Sequence, residues 1–338
     1  MVKILGIVYF RNLRLMKFLV LRFSSIGDIV LTTPVMRCLK IQVPGSEVHY
    51  VTKRQYATIL ENNPYVDKSF FLTDRLSDLI GLLKKENYDL VVDLHRNLRT
   101  RLLKWRLGVP ARSFNKLNVQ KWLMVNLKIN RLPAVHIVDR YLETVAPWSV
   151  KNDGLGLDYF IPKNDEVLVS SLPEKFQHGY VAFAIGGQHE TKKLPVSRLI
   201  ELCKQLDRPV ILLGGPEDRQ AGEQVRTALT AERSVEEEFI FNACGLFNLN
   251  QSASILRQSQ LVISHDTGLM HIAAALKKEI ISIWGNTIPA FGMYPYGTTY
   301  QAWENKNLRC RPCSKIGFEK CPKGHFKCMN ELRFERVS

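Results

Sequence analysis

Apolar positions along this chain fall into short blocks separated by polar turns. Residues 17–22, Lys-Phe-Leu-Val-Leu-Arg, read as a first strand, because an unbroken apolar run this short suits a strand covered on both faces. Similar runs at 47–52, 68–71 and 89–94 read as further strands. Between them, residues 77–86 set Leu79, Ile80, Leu82 and Leu83 at helical spacing. The apolar run 29–39 contains Pro34, which either kinks a helix or begins its regular part with Thr32 or Thr33 as cap.

The second half restarts the same rhythm. Five strands are expected, at 180–185, 209–213, 239–241, 261–263 and 279–283, each closed by a turn. A helix through Leu199 and Leu202 follows the first of them, and Leu269, Ile272, Ala273 and Leu276 make another after the fourth. Strands alternating with helices predict an α/β fold of two doubly wound, Rossmann-like domains facing each other across a cleft. From 146 to 177 Pro147, Asn152-Asp153-Gly154, Pro162 and Pro173 interrupt any long element, which places the linker near 160–177.

Chemistry concentrates where strands end. After 261–263 comes Ser264-His265-Asp266-Thr267-Gly268, then the helix carrying His271 one turn in. A helix start offers free N–H groups and a positive dipole end, which suit a phosphate or diphosphate. The plain alternative is a capped helix after a buried strand. Asp28 stands in the loop Ser24-Ser25-Ile26-Gly27-Asp28 after the first strand, where open α/β sheets keep their active sites; locally it reads equally as a helix cap. Ser24, Ser25 and Gly27 add donors for an anionic or sugar ligand. His95, Arg96, Arg99, Arg101, Lys104 and Arg106 make a basic stretch after the 89–94 strand, of which one or two are expected to touch substrate. Residues 114–132 mix Lys with Trp122, as a lipid-facing surface or a packed helix would. There is no Gly-x-Gly-x-x-Gly and no P-loop, so a dinucleotide dehydrogenase and a P-loop ATPase are disfavoured.

Charge narrows the partners. The 338 residues carry a net charge of +15, which favours nucleic acid, an anionic membrane surface or a phosphorylated substrate. No apolar run reaches the roughly 18–20 residues that cross a bilayer. Residues 1–15 show no signal-peptide cleavage pattern, so a reducing cytoplasm is expected; they read as an extension from an upstream start, a membrane-surface segment or an extra strand. Cys310, Cys313, Cys321 and Cys328 crowd the tail near His325. Two Cys at x2 spacing with two more could close a tetrahedral structural zinc site; reduced packed thiols and disulfides are the alternatives.

The stretch from Arg22 to Pro34, containing Ser24-Ser25-Ile26-Gly27-Asp28, resembles the N-terminal signature of the ADP-heptose:lipopolysaccharide heptosyltransferases, glycosyltransferase family 9. Ser264 to Leu276 resembles their second signature, Asp-Thr-Gly, two residues, His, then an Ala-rich helix. The resemblance spans residues 16–338 and implies a GT-B fold. Residues 1–15 are then read as an extension, and the resemblance implies 16–165 as the acceptor-binding domain, 166–309 as the nucleotide-sugar-binding domain and 310–338 as a tail crossing back to the first domain. It also implies an inverting, metal-independent sugar transfer with no required cofactor. Asp28 matches the general base. Lys192 looks like the diphosphate lysine, with Lys193 as fallback. Thr267 and Gly268 match phosphate-binding N–H groups, Asp266 and His271 flank them, and Glu217 is similar to a ribose-binding carboxylate. His265 stands where many relatives carry Asn. Ser25, Gly27, Arg96, Arg99 and Arg140 are the acceptor-binding candidates.

The implied partners are ADP-heptose or a similar nucleotide-sugar, an anionic lipopolysaccharide core (Kdo or heptose on lipid A), and the cytoplasmic face of the inner membrane. A transferase using another nucleotide-sugar and a nucleotide-sugar epimerase of the same fold are the enzymatic alternatives; the epimerase leaves the basic 95–140 region unexplained. A nucleic-acid binder is disfavoured, since no module for that is present.

Overall fold

In the computed structural model, residues 16–72, 74–232 and 239–335 are described. The three readings of residues 1–15 fall outside them. The first half holds a five-stranded parallel sheet of β1 (Lys17–Leu21), β2 (Glu47–Lys53), β3 (Lys68–Leu72), β4 (Leu90–Asp93) and β5 (Ala111–Ser113), in the order β3-β2-β1-β4-β5. Its helices are α1 (Ile26–Val30), α2 (Thr33–Gln42), α3 (Leu76–Lys84), α4 (Leu98–Leu107), α5 (Asn118–Trp122) and α6 (Ile137–Leu142). Successive side chains leave opposite faces of a strand. Accordingly Phe18 and Val20 join one core with α2 and α6, while Leu19 and Leu21 join another with α3 and α4. Pro34 sits in the first turn of α2 and Thr32 at its N-cap, so the proline begins the helix.

The second half holds six parallel strands, one more than its pattern predicts: β6 (Val181–Ala184), β7 (Val210–Leu213), β8 (Ile240–Asn242), β9 (Leu261–His265), β10 (Ile280–Trp284) and β11 (Tyr300–Glu304), in the order β11-β10-β9-β6-β7-β8. Its helices are α7 (Val196–Lys204), α8 (Arg219–Glu232), α9 (Leu249–Gln258), α10 (Gly268–Ala275) and α11 (Lys327–Asn330). The extra strand β11 is an edge strand in which only Trp303 is fully buried, so it lacks an apolar run to announce it. The same holds for β5, an exposed edge of the first sheet.

Between the halves, Arg37 is 2 % exposed and binds Asp153, Asp158 and the Gly156 carbonyl, which ties that segment to α2. From Tyr159 the partners change: its hydroxyl donates to Asn250, and Glu166 pairs with Arg257 on α9. The tail, expected to cross back to the first half, instead buries Cys328, Met329 and Leu332 in the outer core of the second. It also touches the first half, where the Lys128 ammonium donates to the carbonyls of Cys310 at 3.1 Å and Pro312 at 2.7 Å.

Two of the contacts between the halves frame the cleft. The segment after β10 joins α6: Ile137 N–H donates to the Gly292 carbonyl at 2.8 Å, and His136 stacks on Tyr296 at 4.4 Å. Beside it α1 packs on α10, where a Cβ on Gly27 would stand 2.4 Å from His271 Cδ2 and one on Gly268 would stand 2.8 Å from Ile26 Cγ2. Only glycine permits that approach of two helix starts.

Candidate active site

The first wall of the cleft grows from the carboxyl end of β1, the central strand of its sheet. Arg22, next after the strand, is 8 % exposed, and each of its three guanidinium nitrogens has a partner. Nε donates to the Ser24 carbonyl at 2.7 Å, and Nη1 donates to the Leu94 carbonyl at 2.7 Å and the Tyr141 hydroxyl at 3.1 Å. Nη2 stands 2.6 Å from Oδ2 of Asp28. Asp28 lies in the first turn of α1, and the same Oδ2 accepts from the Ser25 N–H at 3.2 Å and the Ser25 hydroxyl at 3.0 Å. The cap reading of Asp28 is therefore correct for one oxygen. Oδ1 has no partner among the described residues, and the side chain keeps 19 % of its surface exposed. Burial alone would raise this carboxyl; the Arg22 charge and the Ser25 donors outweigh it and hold the group below the usual carboxylate range. Asp28 is thus an ionised carboxylate at neutral pH with one free oxygen at the cleft.

The second wall grows from β9, central in the other sheet. Asp266 is 8 % exposed; its Oδ2 accepts from Lys192 Nζ at 2.6 Å and from the Thr287 hydroxyl at 2.9 Å. Lys192 Nζ also donates to the Asp266 carbonyl at 3.2 Å. Thr267 caps α10 through an extended backbone, its side chain making no cap bond. The N–H groups of Thr267 and Gly268 belong to the N-cap and first position of this helix, next in sequence to the Asp266 that holds Lys192. Lys193 turns the other way, to Glu190 at 2.5 Å and Asp218 at 3.3 Å, so Lys192 is the lysine at the helix start.

His265 acquires a role here. It is fully buried, and its Nε2 accepts the Leu194 N–H at 3.0 Å, which fixes the segment holding Lys192. Burial pushes its pKa down to about 3, so it acts as a neutral acceptor. His271 is 2 % exposed, packed on Gly27, and lowered to about 4 by burial and Lys192, against the pull of Asp266 and Asp28. Its Nδ1 is buried with no partner among the described residues.

The remaining expected residues scatter. Glu217 is exposed and curls over Gly215. Its neighbour Asp218, which the sequence reading passed over, is 3 % exposed and accepts the Gly215 N–H at 3.0 Å. It lines a cavity of about 560 Å³ with Thr191, Lys193, Leu194 and Phe326. Arg96 is exposed and donates to the Phe114 carbonyl at 3.0 Å, and Arg99 lies exposed on α4. Arg140 is 2 % exposed and donates to the carbonyls of Asn115 at 3.0 Å and Phe291 at 3.3 Å. It braces the two halves and is not presented to an acceptor. Ser25 is spent on Asp28, and Gly27 makes room for His271.

The cations that feel the charge of Asp28 are Lys116 and Lys121, and both also feel Lys315. Burial lowers Lys121 to about 8, assisted by Arg140, Lys315 and Lys116 and opposed by Asp28. Lys116 is lowered by burial and by Arg22. These lysines come from separate segments, and no spacing in the sequence links them.

The tail cysteines are free thiols. Cys310 Sγ lies 3.9 Å from His325 Nε2, but Cys328 points into the apolar core, where burial pushes its thiol up to about 12. Among the described residues no group of three or more His, Cys, Asp or Glu is arranged to hold a metal ion, so of the three readings of these cysteines the four-cysteine zinc set is not assembled. No described helix is long and apolar enough to cross a membrane.

Known proteins resemble this chain in sequence and fold. The sequence profile of glycosyltransferase family 9 (heptosyltransferase) matches residues 77–322. Lipooligosaccharide heptosyltransferase 2 of Haemophilus influenzae is 25 % identical over 309 residues, covering 82 % of this chain and 85 % of that one. Lipopolysaccharide heptosyltransferase 2 of Escherichia coli is 22 % identical over 299 residues, covering 82 % and 84 %. The structure of E. coli ADP-heptose lps heptosyltransferase II superposes with a TM-score of 0.67 at 19 % identity, covering 94 % of this chain and 98 % of that one. The fold is GT-B.

Proposed function

The chain belongs to glycosyltransferase family 9, the heptosyltransferases, and from that premise we propose that it transfers a heptose from ADP-heptose to the inner core of lipopolysaccharide. The observation that carries the reading is the meeting of α1 and α10 across Gly27 and Gly268. That meeting supports a site shared by Asp28 of α1 and by Asp266, just before α10, with its partner Lys192.

The transfer is inverting. An acceptor hydroxyl attacks the anomeric carbon from the face opposite the diphosphate. As the new C–O bond forms, the hydroxyl proton passes to Oδ1 of Asp28, and the bond to the ADP oxygen breaks with its electron pair. The charge arriving on the leaving phosphate is met by Lys192 and by the N–H groups of Thr267 and Gly268. Asp266 keeps Lys192 in place before the donor arrives. Lys116, Lys121 and Lys315 suit the anionic groups of a lipopolysaccharide core. The acceptor is lipid-linked, so the enzyme works on the cytoplasmic face of the inner membrane.

The test is ADP release from ADP-heptose, with and without a Kdo-lipid A acceptor, for the wild type and Asp28→Asn. Acceptor-dependent release that falls about 100- to 10,000-fold in the variant, with ADP binding retained, is the expected outcome. No release, together with a melting shift from UDP or GDP and none from ADP, would overturn the heptose assignment.

A further inference from the structure

Helix α4 is apolar on two faces. Inward it buries Leu103, with Thr100 beside it. Outward it exposes Leu98 at 79 %, Leu102 at 43 % and Trp105 at 74 %. These three stand at i, i+4 and i+7 and form one ridge along the helix. By the same helical geometry Arg101 flanks the ridge on one side and Arg99 and Arg106 on the other. Arg106 also lies 5.5 Å from the Trp105 ring. From residue 94 to residue 138 there are ten Lys and Arg and no Asp or Glu, so this one stretch accounts for two thirds of the net charge of +15. Arg99, Arg101 and Arg112 make no ion pair among the described residues.

We propose that the outer face of α4 docks on an anionic phospholipid surface, with Leu98, Leu102 and Trp105 entering the headgroup boundary and the flanking arginines meeting lipid phosphates. An exposed apolar ridge bordered by cations is the pattern of an interfacial helix. Charge complementarity selects this occupant. A second copy would oppose one acid-free cationic stretch to another, and nucleic acid would leave three large apolar side chains without a partner. Position supports it too. Strand β4, from which α4 departs, pairs directly with β1, from which the Asp28 loop departs, and both loops leave the carboxyl end of the sheet. Val119 at 68 % and Trp122 at 56 % exposure, beyond the neighbouring strand β5, extend the apolar surface at that end. A lipid-linked acceptor would therefore be met at its own membrane. That last step rests on the proposed function; the lipid contact itself does not.

The experiment is co-sedimentation of the full chain with vesicles of phosphatidylcholine, with or without one quarter phosphatidylglycerol, at low and high salt. The wild type should bind the anionic vesicles, lose binding as salt rises, and ignore neutral ones. The pair Leu98→Ser with Trp105→Ser should bind at least about tenfold more weakly. An unchanged melting temperature and unchanged ADP release with a delipidated acceptor show that the pair folds and retains its site. Failure of the wild type to bind, or equal binding by the pair, overturns the proposal. So does concentration-dependent dimerisation that the pair abolishes without any vesicle binding. If no acceptor supports ADP release yet salt-sensitive vesicle binding still depends on Leu98 and Trp105, the functional reading fails and the docking surface stands.

Discussion

Two ion pairs of equal length face each other in this molecule, and they are built in opposite senses. Arg22 and Asp28 stand 2.6 Å apart at the end of β1, and Lys192 and Asp266 stand 2.6 Å apart at the turn after β9. In the first pair the cation is anchored: three further acceptors hold Arg22, and the free atom belongs to Asp28. In the second the carboxylate is anchored, since the Thr287 hydroxyl holds Asp266, and Lys192 has no other partner among the described residues than Asp266 itself. The difference teaches which member of each pair is available for work. A buried partner satisfied on several sides stays where it is, while the member with a spare lone pair or spare donors turns to the ligand.

Breaking the first pair at its free end should have the largest effect, the loss of turnover already expected for Asp28→Asn. Breaking the second should come next. Lys192→Ala should lower kcat/KM by about a hundredfold, on the scale of removing one charge-stabilising donor. Unlike Asp28→Asn, it should also weaken the melting shift given by ADP. If ADP binding is untouched by Lys192→Ala, the two walls do not divide the chemistry in this way.

The contact between the walls can be tested by steric means. Gly27→Ala drives a Cβ into His271, and overpacking of this kind costs about 1–3 kcal/mol in urea unfolding. The same change in a His271→Ala background should cost less than half as much. An equal cost in both backgrounds would show that the helix starts do not meet there.

Acid should act on the histidines before it acts on the Arg22–Asp28 pair. His136, His265 and His271 are held near 3, 3 and 4 by burial, far below the ordinary value of 6.5. Below about pH 6.5 the unfolded chain takes up protons that the folded chain refuses, so stability is fully present above that pH and falls as the pH drops. His271→Gln should make the slope of stability against pH shallower by about one proton between pH 6 and 4.5. An unchanged slope would mean that His271 is charged in the fold. The Arg22–Asp28 pair runs on a lower window. Its depressed carboxyl stabilises the fold above the unfolded carboxyl value of about 3.9, and that contribution disappears only as the pH falls through the folded value.

Much of the frame is legible in the chain itself. The apolar runs locate nine strands, because a strand buried on both faces must be apolar along its length. The two edge strands β5 and β11 escape, because an edge needs little burial. Pro34 and the Asp266-Thr267-Gly268 turn mark helix starts through local backbone chemistry. The first wall is half legible. Asp28 is conspicuous by its place in the loop, but Arg22 reads as the last residue of a strand, and nothing local says that it holds Asp28.

The sequence by itself determined the alternation of strands and helices, the family signatures, the acid-free basic stretch and the small residues where the helix starts converge. These depend on neighbours a few positions away or on counts, and such information is linear. Only the tertiary structure decided which charges meet. It turned Lys192 to Asp266 and Lys193 to Asp218, buried Arg140 against two carbonyls, gathered Lys116, Lys121 and Lys315 from distant segments, and buried Cys328 in an apolar core. Electrostatic and hydrogen-bond partners are chosen by distance and desolvation in space, and neither has a period along the chain.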